Sequence, residues 1–239
     1  MPGKSGFDGG QIGTEYDLLL MAIPHYNEVQ EEVARLVATH ANNRPISILE
    51  IGCGTGLTTR ALLQHVPNVH ITAVDKYSTM LDQAKNALRG HKNVTFVEAD
   101  ACYFLARQDD ISFDAVVTVF CLHNEDSPYR RNAFREIGRI VRQGGFVVSA
   151  DKIAQDDPVQ HQASFDAQME ALAVFRGTPH WELEEEWRAH YLEDNGRRFI
   201  ESEQVFLLTK EAHCHEVKRH RRWGMEALYT GIRHGNDRH

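Results

Sequence analysis

Several things are scarce in this 239-residue sequence, and each scarcity excludes a class of protein. Positive charge is in deficit, with 26 Lys and Arg against 34 Asp and Glu and a net charge of −8, which argues against a surface given over to nucleic acid. The four cysteines, Cys53, Cys102, Cys121 and Cys214, are widely spread and form no C-x-x-C pair. Neither a disulfide framework nor a thiolate zinc site is indicated, and no metal is expected. Long apolar runs are missing too: Leu18 to Ile23 is the longest early one, far short of the roughly 20 residues needed to cross a bilayer. The opening MPGKSGFDGG lacks the apolar core of a secretion signal, so a cytoplasmic chain with no membrane association is expected. There is no internal repeat, low-complexity tract or clear linker. Hydrophobic residues at 42% and charged residues at 25% are ordinary for a globular chain.

What is present is a rhythm of strands and helices. Val29, Val33, Leu36 and Val37 fall on one stripe of a helix over 28–40. ISILEI (46–51) is a short apolar run suited to a strand covered on both faces. The alternation continues with helices over 56–65, 78–88, 101–107 and 129–142 and strands over 69–74, 94–99, 113–120 and 146–150, the last opened by a Gly144-Gly145 turn. Five such units predict a doubly wound α/β fold, mostly parallel, with helices on both faces. After Asp151 the rhythm gives way to a polar, helix-rich stretch carrying Phe165, Phe175, Trp181, Trp187 and Tyr191, which reads as an inserted helical lid over about 151–195. A helix over 201–212 and strands over 213–217 and 225–232 bring the sheet to seven strands. The seven residues after Ile232 read as a disordered tail. The whole of 1–239 is expected to form a single domain, with an N-terminal cap over about 1–40.

The chemistry is concentrated after the first strand, in Glu50-Ile51-Gly52-Cys53-Gly54-Thr55-Gly56. Glycines between a buried strand and a helix let the backbone approach a ligand closely. The spacing is G-x-G-x-G, because Leu57 stands where the dinucleotide fingerprint G-x-G-x-x-G needs glycine, and no Walker-type G-x-x-x-x-G-K-[ST] is present here.

LEIGCGTG (49–56), followed in order by AVDKYSTML (73–81), FVEADA (96–101) and FDAVVTVFCLHN (113–124), resembles the class I S-adenosylmethionine (SAM) dependent methyltransferases over roughly 46–150. The resemblance implies SAM as cofactor. It implies that the backbone of Gly52, Cys53, Gly54 and Gly56 contacts the methionyl part and ribose, that Glu50 orients the amino group, and that Asp75 accepts both ribose hydroxyls. Asp100 would then receive the adenine amino group, with Ala101 offering its N–H and Lys76 and Met80 packing near the ring. Phe120, Cys121 and His123 would lie where sulfonium and acceptor meet. Tyr16 is expected to touch the cofactor and, with His123, makes the catalytic pair of candidates. His123 suits a base because imidazole titrates near neutrality, although it could equally hydrogen-bond a loop carbonyl, and methyl transfer need not use a base.

The expected reaction is methyl transfer to N, O, S or C of a small-molecule acceptor. Two alternatives stay open. One is a tRNA-directed enzyme, since the ends of the chain are also similar to the family that modifies wobble uridine; the other is a SAM-fold protein that attacks the sulfonium in a different way. KRHRR (218–222) is the strongest basic run and is expected at a hairpin turn on the cofactor rim, where it would serve an anionic acceptor or RNA, or be a solvated turn. A homodimer also stays open.

Overall fold

The computed structural model describes residues 7, 10–23 and 25–234. Seven strands form one sheet in the order β3-β2-β1-β4-β5-β7-β6: β1 (Ile46–Ile51), β2 (Val69–Asp75), β3 (Val94–Glu98), β4 (Phe113–Val119), β5 (Val141–Lys152), β6 (Cys214–Trp223) and β7 (Glu226–Arg233). The first five are parallel; β7 runs antiparallel to both β5 and β6, so β6 shares the direction of the rest. The order turns back at β1, and the crevice beyond the carboxyl ends of β1 and β4 is where sheets of this topology bind ligands.

Alternation along the strands divides the interior in two. Ile48, Ala115, Val117 and Val148 face one core with α2 (Tyr26–Ala41) and α3 (Leu57–His65), while Leu49, Val116 and Val147 face the other with α6 (Ser127–Ile140). Both faces are covered, which is why these strands read as near-continuous apolar runs. Helix starts follow their capping residues: Asp100 accepts from the Tyr103 N–H at 2.9 Å and opens a short helix over Ala101–Leu105, and Asp126 does the same for α6 through Tyr129 N–H at 2.9 Å. In the order of the chain, α1 is Gln11–Thr14, α4 is Ser78–Ala87 and α5 is that short helix.

The segment after β5 is helical as expected, comprising α7 (Pro158–Ala171), a 3₁₀ turn over Leu172–Phe175 and α8 (Glu182–Arg197). Phe165, Phe175, Trp187 and Tyr191 are buried against the first core, whereas Trp181 is 54% exposed. The segment also grips the N-terminal residues, since Glu186 accepts from Ile12 N–H at 3.1 Å and His180 Nδ1 lies 3.1 Å from Glu15. α9 (Glu201–Phe206) then leads through a π-turn over Leu207–Glu211 into β6.

Three expectations need correction. The Gly144-Gly145 pair lies inside β5 and does not precede it, because the strand begins at Val141 and slips register between Phe113 and Ala115. A Cβ on Gly145 would come within 2.8 Å of the Asp114 and Arg142 carbonyl oxygens, so only glycine fits this crossing. KRHRR lies within edge strand β6 and not at the turn, and its three arginines are paired within the chain: Arg219 and Arg222 with Glu201, and Arg221 with Glu28. Finally, Arg233 is buried in β7, with its guanidinium donating to the Gly138 carbonyl, so the expected tail does not begin there; residues 235–239 lie outside the described residues.

Two outcomes test this packing. Gly138 on α6 sits so close to the chain at Ala212 that a Cβ would meet its backbone at 2.8–2.9 Å; Gly138→Ala is expected to lower stability in urea unfolding by about 1–3 kcal/mol, and an unchanged midpoint would show that the contact yields freely. Glu50 in β1 is fully buried, and burial pushes its carboxyl up to about 8. The native chain therefore holds a proton that the unfolded chain releases, and stability drains away as pH rises from the ordinary carboxylate range through about 8. Glu50→Gln should gain on the wild type across that interval; a difference constant from pH 5 to 8.5 would contradict the assignment.

Candidate functional site

The turn after β1 is held by its own backbone. Gly52 and Cys53 donate to the Val74 carbonyl at 2.8 and 3.0 Å, drawing the end of β1 onto the end of β2. Gly52 has φ of +71°, and a side chain there would run into Cys121 after β4; both conditions demand glycine. Gly56 opens α3 at φ +86°, where a Cβ would press on Leu88 and Ala84, so its part is the close packing of α3 against α4.

Beyond this turn opens a cleft of about 870 Å³. Of the residues singled out in the sequence, Tyr16, Gly52, Cys53, Gly54, Asp75, Lys76, Met80, Ala101, Phe120 and Cys121 line it together. Asp75 ends β2 with its carboxylate fixed by two backbone donors, Gly54 N–H on Oδ2 and Tyr77 N–H on Oδ1, each at 2.9 Å. An ionised carboxylate has about four acceptor positions, so two bonds leave capacity for more; burial raises its pKa. Lys76 pairs with Glu125 at 2.7 Å across the mouth. Tyr26 donates to the Tyr16 hydroxyl at 3.0 Å, and its ring stacks on Phe120 with centroids 4.8 Å apart. Burial holds the Tyr16 phenol well above its ordinary range, so it is a neutral hydroxyl.

Glu50, Gly56, Asp100 and His123 stand apart from the lining residues. Glu50 lies behind the glycine turn and accepts from the Thr59 hydroxyl at 2.6 Å. Asp100 accepts from Tyr129 OH at 2.8 Å besides capping α5, so the cleft meets Tyr129 in front of it. Tyr77, Gln30, Asn124 and Tyr129 line the cleft as well. Tyr77 and Asn124 sit in two of the quoted motifs, but Gln30 carries no local signal. The buried Asn124 Oδ1 has no hydrogen-bond partner among the described residues.

His123 occupies a 3₁₀ turn over Leu122–Asn124 and faces a smaller, tightly packed cavity that shares Tyr16, Tyr26, Phe120 and Asn124 with the cleft. Asp151, at the end of β5, accepts the backbone N–H groups of Leu122 and His123 at 3.0 and 3.2 Å on one oxygen and meets His123 Nδ1 with the other. On the far side, His123 Nε2 lies 3.5 Å from Asp194 Oδ2, which is also 3.3 Å from His190 Nε2 and 3.4 Å from Lys152 Nζ. His190 and Asp194 are one turn apart on α8 and so project together. Burial drives His190 down to about 3 and lowers Lys152. Burial also works to raise Asp194, but the neighbouring His123 and Lys152 outweigh it and hold the carboxyl below its usual range. The ligand atoms of His123, His190 and Asp194 lie within 4.8 Å of one another, a grouping the sequence did not suggest because it joins the turn after β4 to a helix far along the chain.

Comparison with known proteins agrees with this architecture. A family model described as a methyltransferase domain matches residues 48–145. The chain is 28% identical to the carboxy-S-adenosyl-L-methionine synthase of Aeromonas salmonicida, over 64% of its own length and 62% of that protein's, so it spans about three fifths of that relative. It is 31% identical to the demethylmenaquinone methyltransferase of Clavibacter sepedonicus, over 72% of this chain and 67% of the relative. Among solved structures, an S-adenosyl-L-methionine-dependent methyltransferase fold from Methanococcus maripaludis superposes with a TM-score of 0.64 at 15% identity, covering 100% of this chain and 99% of the other. The chain belongs to the class I S-adenosylmethionine-dependent methyltransferases, and S-adenosylmethionine is its cofactor.

Proposed function

We propose that this protein transfers the methyl group of SAM to a nucleophilic atom of a small organic acceptor. The observation that carries the reading is the continuity of two spaces: a glycine-floored cleft ending at Asp75 opens, past Tyr16, Tyr26, Phe120 and Asn124, into the cavity that holds His123. The cleft fits the cofactor on its own chemistry. Asp75 has acceptor capacity for a pair of hydroxyls, Gly52 and Gly54 present bare backbone, and Lys76, Tyr77 and Met80 make an apolar-stemmed wall for a flat base. In this reading Ala101 and Tyr129 close that wall in front of Asp100, Cys53, Phe120 and Cys121 flank the methionyl end, and Glu50 and Gly56 act through the shape of the turn.

When bound, SAM supplies an electrophilic methyl on a sulfonium. The chain supplies alignment and the exclusion of water. Tyr16 stands at the passage between cleft and cavity, and since Tyr26 donates to it, its own hydroxyl proton is left to orient an acceptor. Asp151 fixes His123 through Nδ1, so that Nε2 is the atom turned to the cavity and able to take a proton once Asp194 yields. An acceptor that arrives already neutral and nucleophilic needs only the first of these roles.

A second reading draws on the Aeromonas relative, whose name makes a carboxylated SAM the product; in that reading this chain would act on SAM itself. Product analysis separates the two. Incubation with SAM and a metabolite extract should give acceptor-dependent S-adenosylhomocysteine; a modified sulfonium nucleoside or methylthioadenosine formed without acceptor would replace the proposal with the second reading, and strict dependence on added tRNA would replace the small-molecule acceptor.

Two substitutions examine the parts. Asp75→Ala is expected to weaken SAM binding by about tenfold to a hundredfold in calorimetry, and normal affinity would remove Asp75 from the site. His123→Gln should keep SAM affinity and lower kcat by about a hundredfold or more; unchanged turnover would confine His123 to holding the loop.

A further inference from the structure

We propose that the Tyr129 hydroxyl reads the 6-amino group of the cofactor's adenine, with Asp100 as the positioning residue that fixes this hydroxyl as a hydrogen-bond acceptor. The proposal deepens the assignment of the large cleft to SAM and rests on it.

The carboxylate that the family resemblance assigns to adenine is already engaged. Asp100 Oδ1 accepts the Tyr103 N–H at 2.9 Å as the cap of α5, and Oδ2 accepts the Tyr129 hydroxyl at 2.8 Å. Tyr129, in the first turn of α6, lines the cleft together with Ala99 and Ala101, and Asp100 lies behind it. The Tyr129 oxygen also receives the Cys102 N–H at 3.3 Å, so it is held between two groups that flank Ala101, at the end of the cleft where the base belongs.

These contacts fix the polarity of the hydroxyl. A phenol has one proton to give and two lone pairs to receive with. The proton goes to a carboxylate, which when ionised can only accept, and one lone pair receives Cys102 N–H. One acceptor position is left. Burial, reinforced by the bond to Asp100, holds the Tyr129 phenol above its ordinary range, so the proton stays on oxygen. The hydroxyl therefore offers the cleft an acceptor, polarised by the carboxylate behind it. The 6-amino group of adenine is a donor of matching sign, whereas a 6-keto group in the same place would set oxygen against oxygen. Other side-chain acceptors of the cleft are engaged or placed elsewhere: Glu125 pairs with Lys76 at 2.7 Å, Gln30 accepts from the Thr58 hydroxyl, and Asn124 stands at the passage to the smaller cavity.

The test is calorimetric binding of two probes to the full chain and its variants: S-adenosylhomocysteine, and S-inosylhomocysteine, which carries a 6-keto group. The wild type should prefer the adenosyl compound by about tenfold to a hundredfold, and Tyr129→Phe should weaken it by about fivefold to tenfold and remove most of the preference. Asp100→Asn gives the sharper result. Asn caps a helix as well as Asp does, and with the amide oxygen kept on Tyr103 N–H, the amide nitrogen would donate to Tyr129. The phenol proton would then turn to the cleft, and the preference should reverse in favour of the inosyl compound. In the double variant Asp100→Asn with Tyr129→Phe the reversal should vanish. A preference unchanged in Tyr129→Phe, or a reversal that survives in the double variant, would overturn the proposal, since Asp100 would then meet the base itself. S-adenosylhomocysteine affinity untouched by Asp75→Ala would remove the cleft assignment and this proposal with it; affinity that falls in Asp75→Ala beside a base preference indifferent to Tyr129 would overturn the proposal alone.

Discussion

The bond between the Asp75 carboxylate and the backbone of the glycine turn is the constraint on which the site depends. One oxygen takes Gly54 N–H and the other Tyr77 N–H, while Gly52 and Cys53 reach the Val74 carbonyl, so the ends of β1 and β2 are tied into one rigid edge. Without that tie the G-x-G-x-G segment would be a mobile loop, and a carboxylate at the end of β2 would turn to solvent. With it, bare backbone and acceptor oxygens are fixed on one wall before any ligand arrives, which is the condition under which binding loses least to ordering. The packing of Gly52 against Cys121 extends the same edge to β4 and so to the turn carrying His123.

A second polar assembly holds the other wall. Asp151 at the end of β5 organises the Leu122–Asn124 turn, and α8 brings His190 and Asp194 against it. Buried charges of this kind persist only when paired, and here pairing joins the sheet to the inserted segment through Lys152 and Asp194. The contact is stretched compared with the Asp75 tie, and in the proposed reading the rigid edge would hold the cofactor and the looser one would face the acceptor. Methyl transfer asks for both, since the electrophile must be held still and the nucleophile must be admitted and then enclosed.

Much of this was legible in the sequence, for identifiable reasons. Strands covered on both faces, such as ISILEI, announce themselves by unbroken apolar runs, and the glycine spacing with Asp75 at the end of the next strand marks the cleft. Glu50 and Asp100 are each bonded to a neighbouring hydroxyl behind the residues that line the cleft. The reading failed where local pattern and tertiary context part. KRHRR looks like a turn by charge, but β6 carries it along an edge where its arginines pair with Glu201 and Glu28. Gln30 belongs to a helix whose approach to the cleft is set by packing alone, and the convergence of Asp194 on His123 and Lys152 depends on how α8 crosses the sheet, which no spacing encodes.

The most direct test of the account is a structure of the protein with S-adenosylhomocysteine. The account predicts the ribose hydroxyls on Asp75, the base between the Lys76–Met80 segment and Ala101, and the sulfur at the passage beside Tyr16 and Phe120. A nucleoside bound elsewhere, or in this cleft with Asp75 untouched, would contradict it.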